Sequence, residues 1–118
     1  MKYLAAIMLL ALSALGAKAE IQLMECSPGK SVTRIILIDT VKKEATHWAK
    51  LSPTVTNGPF GPEKADISNE RVAWINVKTT GKLMSTTRYV IDRINKSMTI
   101  DISYNYDQDP WHEDAVCK

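Results

Sequence analysis

Apolar and polar side chains alternate one for one along most of the chain beyond residue 20, and the spacing of an amphipathic helix is nearly absent. Alternation with a period of two places successive side chains on opposite faces of a β-strand. Segments 71–78, 83–94 and 98–104 show it most clearly. The pattern therefore predicts an all-β fold of antiparallel strands, each with one apolar and one solvated face.

Four further segments complete the predicted sheet: 21–25, 32–38, 43–49 and 65–67. Segment 32–38 is rich in β-branched residues and apolar on both faces, as expected of a buried strand. Segment 43–49 would also suit one turn of helix. Because short connections make sequential strands neighbours, six or seven strands predict one domain, residues 20–118, whose meander closes into a small barrel or a two-layer sandwich.

Two hairpins are predicted in the C-terminal half of the chain. A turn centred on residues 95–96 places Ile91 opposite Ile100, and a turn centred on residues 80–81 precedes it. A slip of one residue would turn the apolar side chains into water, so the alternation fixes which face of each strand is buried.

Segment 51–63 is predicted to be the longest loop of the domain. Six of its residues favour turns: Pro53, Asn57, Gly58, Pro59, Gly61 and Pro62. Such a density of proline and glycine argues against a regular element. Phe60 lies among them, either displayed for recognition or folded as a plug across an open end of the sheet.

Residues 1–19 have the layout of a secretory signal peptide. A basic start is followed by an apolar stretch, residues 4–17, too short to span a bilayer comfortably, and then by Ala17-Lys18-Ala19, which predicts cleavage before Glu20. The alternative is an N-terminal anchor or a buried helix. Removing two lysines with the leader reduces 15 basic side chains to 13, equal to the 13 acidic ones. We therefore expect a periplasmic or secreted protein that binds neither nucleic acid nor, once cleaved, the membrane.

Cys26 and Cys117 are the two cysteines of the chain and lie near the ends of the mature protein. An exported protein meets an oxidising compartment, so the pair predicts a disulfide that encloses most of the domain. Two alternatives are a thiol nucleophile and a metal pair, but the nearby His112 does not give a recognisable zinc spacing.

No catalytic motif is present: the chain has no phosphate-binding glycine loop, no nucleophile elbow and no Cys-x-x-Cys. A hydrolase would have to use His47 or His112, the two histidines. Asp107 and Asp109 have the close spacing of calcium loops but lack the required glycine and bidentate acid, so a solvated acidic turn competes with a weak calcium site. No cofactor is expected.

Three aromatic residues are candidates for binding: Phe60, Tyr106 and Trp111. Tyr104 continues the core alternation, which leaves Tyr106 and Trp111 available for contact if they face outward. Asn95-Lys96-Ser97 is a glycosylation sequon, relevant if the source is eukaryotic.

The order of strands and turns resembles that of short exported bacterial β-rich proteins of unassigned role. The matching features are the Ile-Asp-Thr turn at 38–40, the proline and glycine segment, strands 71–75 and 89–93, and Cys117. The chain is also distantly similar, in size and in having a disulfide, to the small periplasmic barrels that inhibit lysozyme, although their Ser-Gly-rich inhibitory loop is missing. The resemblance implies a compact exported scaffold without an assigned activity.

These features favour a small exported binding or inhibitor-like module without catalytic chemistry, whose partner is another exported or envelope protein. The alternatives are a structural or stress-related envelope protein without a ligand and a small hydrolase.

Overall fold

The computed structural model describes residues 21–28 and 32–118. The predicted signal peptide, residues 1–19, lies outside the described residues, as does part of the predicted turn at 27–30.

Eight antiparallel strands form one closed barrel in which each strand pairs with the next and the last returns to the first. The strands are β1 (Ile21–Ser27), β2 (Thr33–Asp39), β3 (Glu44–Ser52), β4 (Val55–Ile67), β5 (Arg71–Thr80), β6 (Leu83–Asp92), β7 (Ser97–Tyr104) and β8 (Trp111–Cys117). Within the described residues there is no helix, and hence none that could cross a membrane. The all-β prediction is confirmed, and of the two predicted architectures the structure has the barrel and not the sandwich.

A disulfide closes the barrel between its first and last strands. Cys26 of β1 lies directly opposite Cys117 of β8, 91 positions later, with 4.0 Å between their Cα atoms. Next to them, Glu25 and Lys118 exchange two backbone hydrogen bonds of 3.1 and 2.8 Å. The cysteines therefore occupy the adjacent non-hydrogen-bonded position, where antiparallel backbones approach most closely. The predicted disulfide is confirmed.

One half of the barrel interior is an apolar core. Its large buried side chains include Ile36, Ile38, Val72, Ile91, Met98 and Ile100. They come from β2, β5, β6 and β7 and alternate with outward polar residues, as the period-two pattern predicts.

The predicted hairpin registers are wrong by two residues, although the predicted faces are right. Ile91 lies opposite Met98 and not Ile100. The cause is a four-residue turn, 93–96, in which Asp92 Oδ1 accepts hydrogen bonds of 3.0 Å from the backbone amides of Ile94 and Asn95. In the preceding hairpin Thr80 pairs with Leu83, which moves the turn centre to 81–82. A shift of two preserves the buried face, so the alternation could not detect it.

The predicted loop at 51–63 is also wrong, because β4 begins at Val55. The turn before it, 53–54, is held by Ser52 Oγ, which accepts hydrogen bonds from the amides of Thr54 and Val55 at 3.3 and 3.1 Å. Proline is tolerated here because residues 55–62 pair with β3 alone, through an irregular register, and need no amide donor on their other side.

Gly58 illustrates why β4 needs glycine. Its φ is +133°, and a Cβ at this position would lie 2.8 Å from Trp48 Cδ1. The close approach of the β4 backbone to the Trp48 ring therefore requires a residue without a side chain.

Candidate functional site

The two ends of the barrel differ in chemistry. We call the end that carries the connections 53–54, 81–82 and 105–110 the hairpin end. The opposite end carries the turns 40–43, 68–70 and 93–96 and contains the disulfide. Towards the hairpin end, the inner face changes from aliphatic to polar and aromatic. The side chains that make this change are Arg34, His47, Trp74, Tyr89 and Glu113.

Four rings pack against one another in this part of the interior. His47 of β3 is 5 % exposed, and its ring centre lies 4.9 Å from that of Tyr89 and 5.0 Å from that of Phe60. Tyr89 is stacked on Trp74 with 4.9 Å between ring centres and 15° between planes. Neighbouring strands β3–β4 and β5–β6 therefore supply a continuous aromatic wall, which Phe60 extends towards solvent.

Charged groups lie beside this aromatic wall. Arg34 Nη2 of β2 is 4.0 Å from Glu113 Oε2 of β8, and both side chains are largely buried. On the other side, Asn76 Nδ2 donates a 2.7 Å hydrogen bond to Glu63 Oε2 and joins β5 to β4. Pairing lowers the cost of taking these charges out of water.

Several buried polar atoms of the interior have no hydrogen-bond partner within the described part of the chain: Arg34 Nε, His47 Nδ1, Trp74 Nε1 and Glu113 Oε2. Leaving such a group unsatisfied costs about 1–3 kcal/mol. Arg34 Nε and Trp74 Nε1 are donors, Glu113 Oε2 is an acceptor, and His47 Nδ1 donates or accepts according to the tautomer of the neutral ring. These four atoms lie on four different strands, so this interior has hydrogen-bonding capacity beyond what its own side chains use.

The electrostatics of His47 favour packing over proton transfer. Burial, reinforced by the positive charge of Arg34, lowers the pKa of His47 to about 4. Burial also raises the pKa of Tyr89. Both rings are therefore neutral near pH 7, and the ring contacts described for His47 are with aromatic side chains. A group with so low a pKa is a weak general base.

His112 lies on the outer face of β8 between two carboxylates. Its Nδ1 contacts Asp101 Oδ1 of β7, and its Nε2 lies 3.0 Å from Asp114 Oδ1. Hydrogen bonds with Asp101 and then Asp114 raise the pKa of His112. Both ring nitrogens are engaged, so the arrangement serves an ion-pair network on the surface better than a catalytic base.

A pH-dependent contribution follows from the raised pKa of His112. A protonated His112 is stabilised by folding, so its contribution is full below the ordinary histidine pKa of 6.5 and is lost as the pH rises through the higher folded-state value. The urea midpoint of His112→Gln should therefore fall further below that of the wild type at pH 5.5 than at pH 9. Because the site is exposed, the difference should be small. A difference in urea midpoint between the wild type and His112→Gln that does not change with pH would contradict this prediction.

The structure places all three predicted binding residues towards the hairpin end. Phe60 and Trp111 are 43 % and 42 % exposed, and both project from strands whose inner faces line the polar interior. Tyr106 is half-exposed in the connection 105–110, with its ring 5.3 Å from that of Tyr104. The Phe60 ring packs against the ring of His47 and is also accessible to solvent.

The acidic candidates lie apart from this interior. Asp107 and Asp109 are exposed in the connection 105–110. Across residues 21–28 and 32–118, no three histidine, cysteine or acidic side chains come together as metal ligands would.

Sequence reasoning did not identify Arg34, Trp74, Tyr89 or Glu113 as members of a common site. The available signal was the occurrence of Arg34 and Glu113 at inward positions of the alternation, where an unpaired charge would be costly. Their pairing depends on closure of the barrel, which the sequence pattern alone did not establish.

Comparison of the chain with protein-family models, with curated proteins and with solved structures finds no match.

Proposed function

We propose that this protein is an exported binding or inhibitor-like module that recognises another exported or envelope protein with the hairpin end of its barrel. The observation that supports the proposal most directly is the placement of Phe60, Tyr106 and Trp111, three half-exposed aromatic residues, towards one end of a disulfide-closed scaffold.

Half-exposed aromatic side chains suit recognition for physical reasons. Each offers a large apolar area with few rotatable bonds, so a partner gains burial at a small entropic cost. Binding hot spots are enriched in tryptophan and tyrosine near the centre of an interface. Phe60 is also supported from below by the His47 ring, which limits its reorganisation on binding.

Lysozyme is a concrete first partner to test, because this chain is similar in size to the exported barrels that inhibit lysozyme and, like them, has a disulfide. Inhibition of lysozyme activity by the mature protein would identify the partner directly. Without inhibition, the search would move to other envelope proteins, recovered by affinity capture with the mature chain as bait.

Replacement of both Phe60 and Trp111 by alanine should weaken binding of the identified partner at least tenfold, because two anchors of this kind contribute about 1–3 kcal/mol each. Binding is measured by calorimetry or surface plasmon resonance. Ile94→Ala is the matched control, since Ile94 is an exposed apolar residue in the turn 93–96 at the opposite end.

Unfolding midpoints for all variants separate loss of binding from loss of fold. Unchanged affinity in a folded Phe60→Ala/Trp111→Ala protein would remove the hairpin end from the proposal. Equal loss in the Ile94 variant would point to a different surface.

A further inference from the structure

Strands β4 and β5 are hydrogen-bonded to each other over only a short part of their length. These strands contain 13 and 10 residues, but they pair only where Ala65, Asp66 and Ile67 face Trp74, Ala73 and Val72. Among the described residues, positions 75–80 of β5 pair beyond this ladder with β6 alone, and positions 55–62 of β4 pair with β3 alone. Two strand edges therefore border a slot that runs towards the hairpin end, and the Asn76–Glu63 hydrogen bond links its two sides on the inner face.

The β5 side of the slot is the better template for another strand. A free strand edge presents unpaired backbone donors and acceptors. Opposite it, Pro59 and Pro62 of β4 have no amide hydrogen to donate. On the outer face of the β5 edge, Ile75 and Val77 are 48 % and 53 % exposed and stand at alternate positions. An added strand would gain both backbone hydrogen bonds and two apolar contacts.

The charge around the base of the slot selects the kind of segment that fits. A cleft of about 850 Å³ lies where β4 and β5 separate, and its lining includes three cationic side chains, Lys64, Arg71 and Arg88. The two carboxylates of the lining offset part of this charge: Glu63 accepts the hydrogen bond from Asn76, and Asp66 lies 4.0 Å from Arg71. The three cations and two carboxylates leave the lining with one excess positive charge. Lys78 adds a fourth positive charge on the β5 edge itself.

We propose that the β5 edge, residues 75–80, binds an extended acidic segment of a partner protein as an added β-strand. Main-chain hydrogen bonds give the affinity of such a complex, and alternate side chains give its specificity. The segment places apolar residues against Ile75 and Val77 and acidic residues near Lys64 and Arg88. Phe60 lies on the β4 side of the slot, but Tyr106 and Trp111 do not border it, so replacement of Trp111 tests the hairpin-end proposal alone.

The same charges disfavour a second copy of this chain as the occupant. Antiparallel pairing of two identical β5 edges would bring Lys78 of each copy towards that of the other, and like charges across a ladder are destabilising. The lysine on this edge is also a common device against edge-to-edge association. A partner strand of opposite charge satisfies both requirements.

The test begins with a phage-displayed library of random linear decapeptides, panned against the whole mature protein. We expect the retained peptides to carry their apolar and acidic residues on one face of the strand, two positions apart, because Ile75 and Arg88 share the outer face. A synthetic peptide of the consensus sequence should slow hydrogen exchange of the backbone amides within residues 75–80, measured by nuclear magnetic resonance. N-methylation of alternate residues of that peptide, on the edge that pairs, should abolish binding because it removes hydrogen-bond donors while keeping the side chains.

Two variants and two controls define the surface. Val77→Glu and Arg88→Glu should each weaken peptide binding at least tenfold, whereas Val116→Glu, at an exposed outward position of β8, should not. The Trp111→Ala protein should bind the peptide normally, because Trp111 lies on β8 and does not border the slot. Absence of any retained peptide, protection of amides elsewhere, or binding that survives N-methylation of each of the two edges in turn would overturn the proposal. If the protein sediments as a dimer and the amides of residues 75–80 are protected in it, the β5 edge binds a second copy of the chain and the proposal of an acidic partner segment is overturned.

Discussion

Replacing Cys26 and Cys117 together by alanine is expected to lower the free energy of unfolding by about 4 kcal/mol. The bridge restrains 91 positions of unfolded chain, and in the part of the chain that the structure describes β8 meets β1 at two register pairs, one of which is the cysteine pair itself. The loss should appear as a lower urea midpoint in equilibrium unfolding followed by circular dichroism. A loss of this size is a large fraction of the 5–15 kcal/mol stability typical of small domains.

Reduction provides the control for this prediction. Dithiothreitol should destabilise the wild type by a similar amount and leave the Cys26→Ala/Cys117→Ala variant unaffected. Because the two cysteine side chains are buried, part of any loss in the variant could arise from packing. Equal stability of the reduced and oxidised wild type would contradict the prediction, because it would show that backbone pairing alone holds β8 to β1.

Acidification is expected to destabilise the barrel through His47. The folded-state pKa of about 4 lies below the ordinary value of 6.5, so the unfolded chain binds a proton more readily. Stability from the neutral ring is therefore present above pH 6.5 and is lost as the pH falls towards 4. Lowering the pKa of His47 from 6.5 to about 4 corresponds to a stability change of about 3 kcal/mol.

His47→Phe should remove this dependence, because phenylalanine preserves a ring against Phe60 and Tyr89 but cannot be protonated. Urea unfolding at pH 7 and pH 4 measures the effect in both proteins, and subtracting the variant from the wild type cancels the other titrating groups. His112→Gln is the matched control, because it changes a histidine on the outer face and should leave the acid-induced loss largely in place. An equal loss in His47→Phe and the wild type would contradict the assignment to His47.

The face of each strand was predictable, but its register was not. Alternation identified Ile91 and Ile100 as inward residues because the side-chain period of two is a property of the strand itself. Their pairing depended on the length of the turn 93–96, which Asp92 determines through its carboxylate. Turn chemistry at one residue therefore displaced the whole hairpin by two positions.

Alternation did not predict the first part of β4 or the strand β8, for different physical reasons. Proline and glycine in β4 indicated a loop, but a strand with a single neighbour tolerates residues that donate no hydrogen bond. β8 was hidden by its acidic residues, because Asp114 faces outward while Glu113 faces inward to Arg34. The inward charge is compensated by a residue nearly eighty positions away, and no local property of the sequence reports such a pairing.

The position of the disulfide has a mechanical consequence. Residue 21 lies five positions before Cys26 and residue 118 one position after Cys117, so both lie outside the loop that the disulfide closes. A pulling force applied through these two residues passes from one strand to the other through a covalent bond and does not load the ladders between β2 and β7. The enclosed strands are thereby protected from extension, and in a force measurement the intact protein should lengthen by only a few residues, whereas the reduced protein should unravel along its full length.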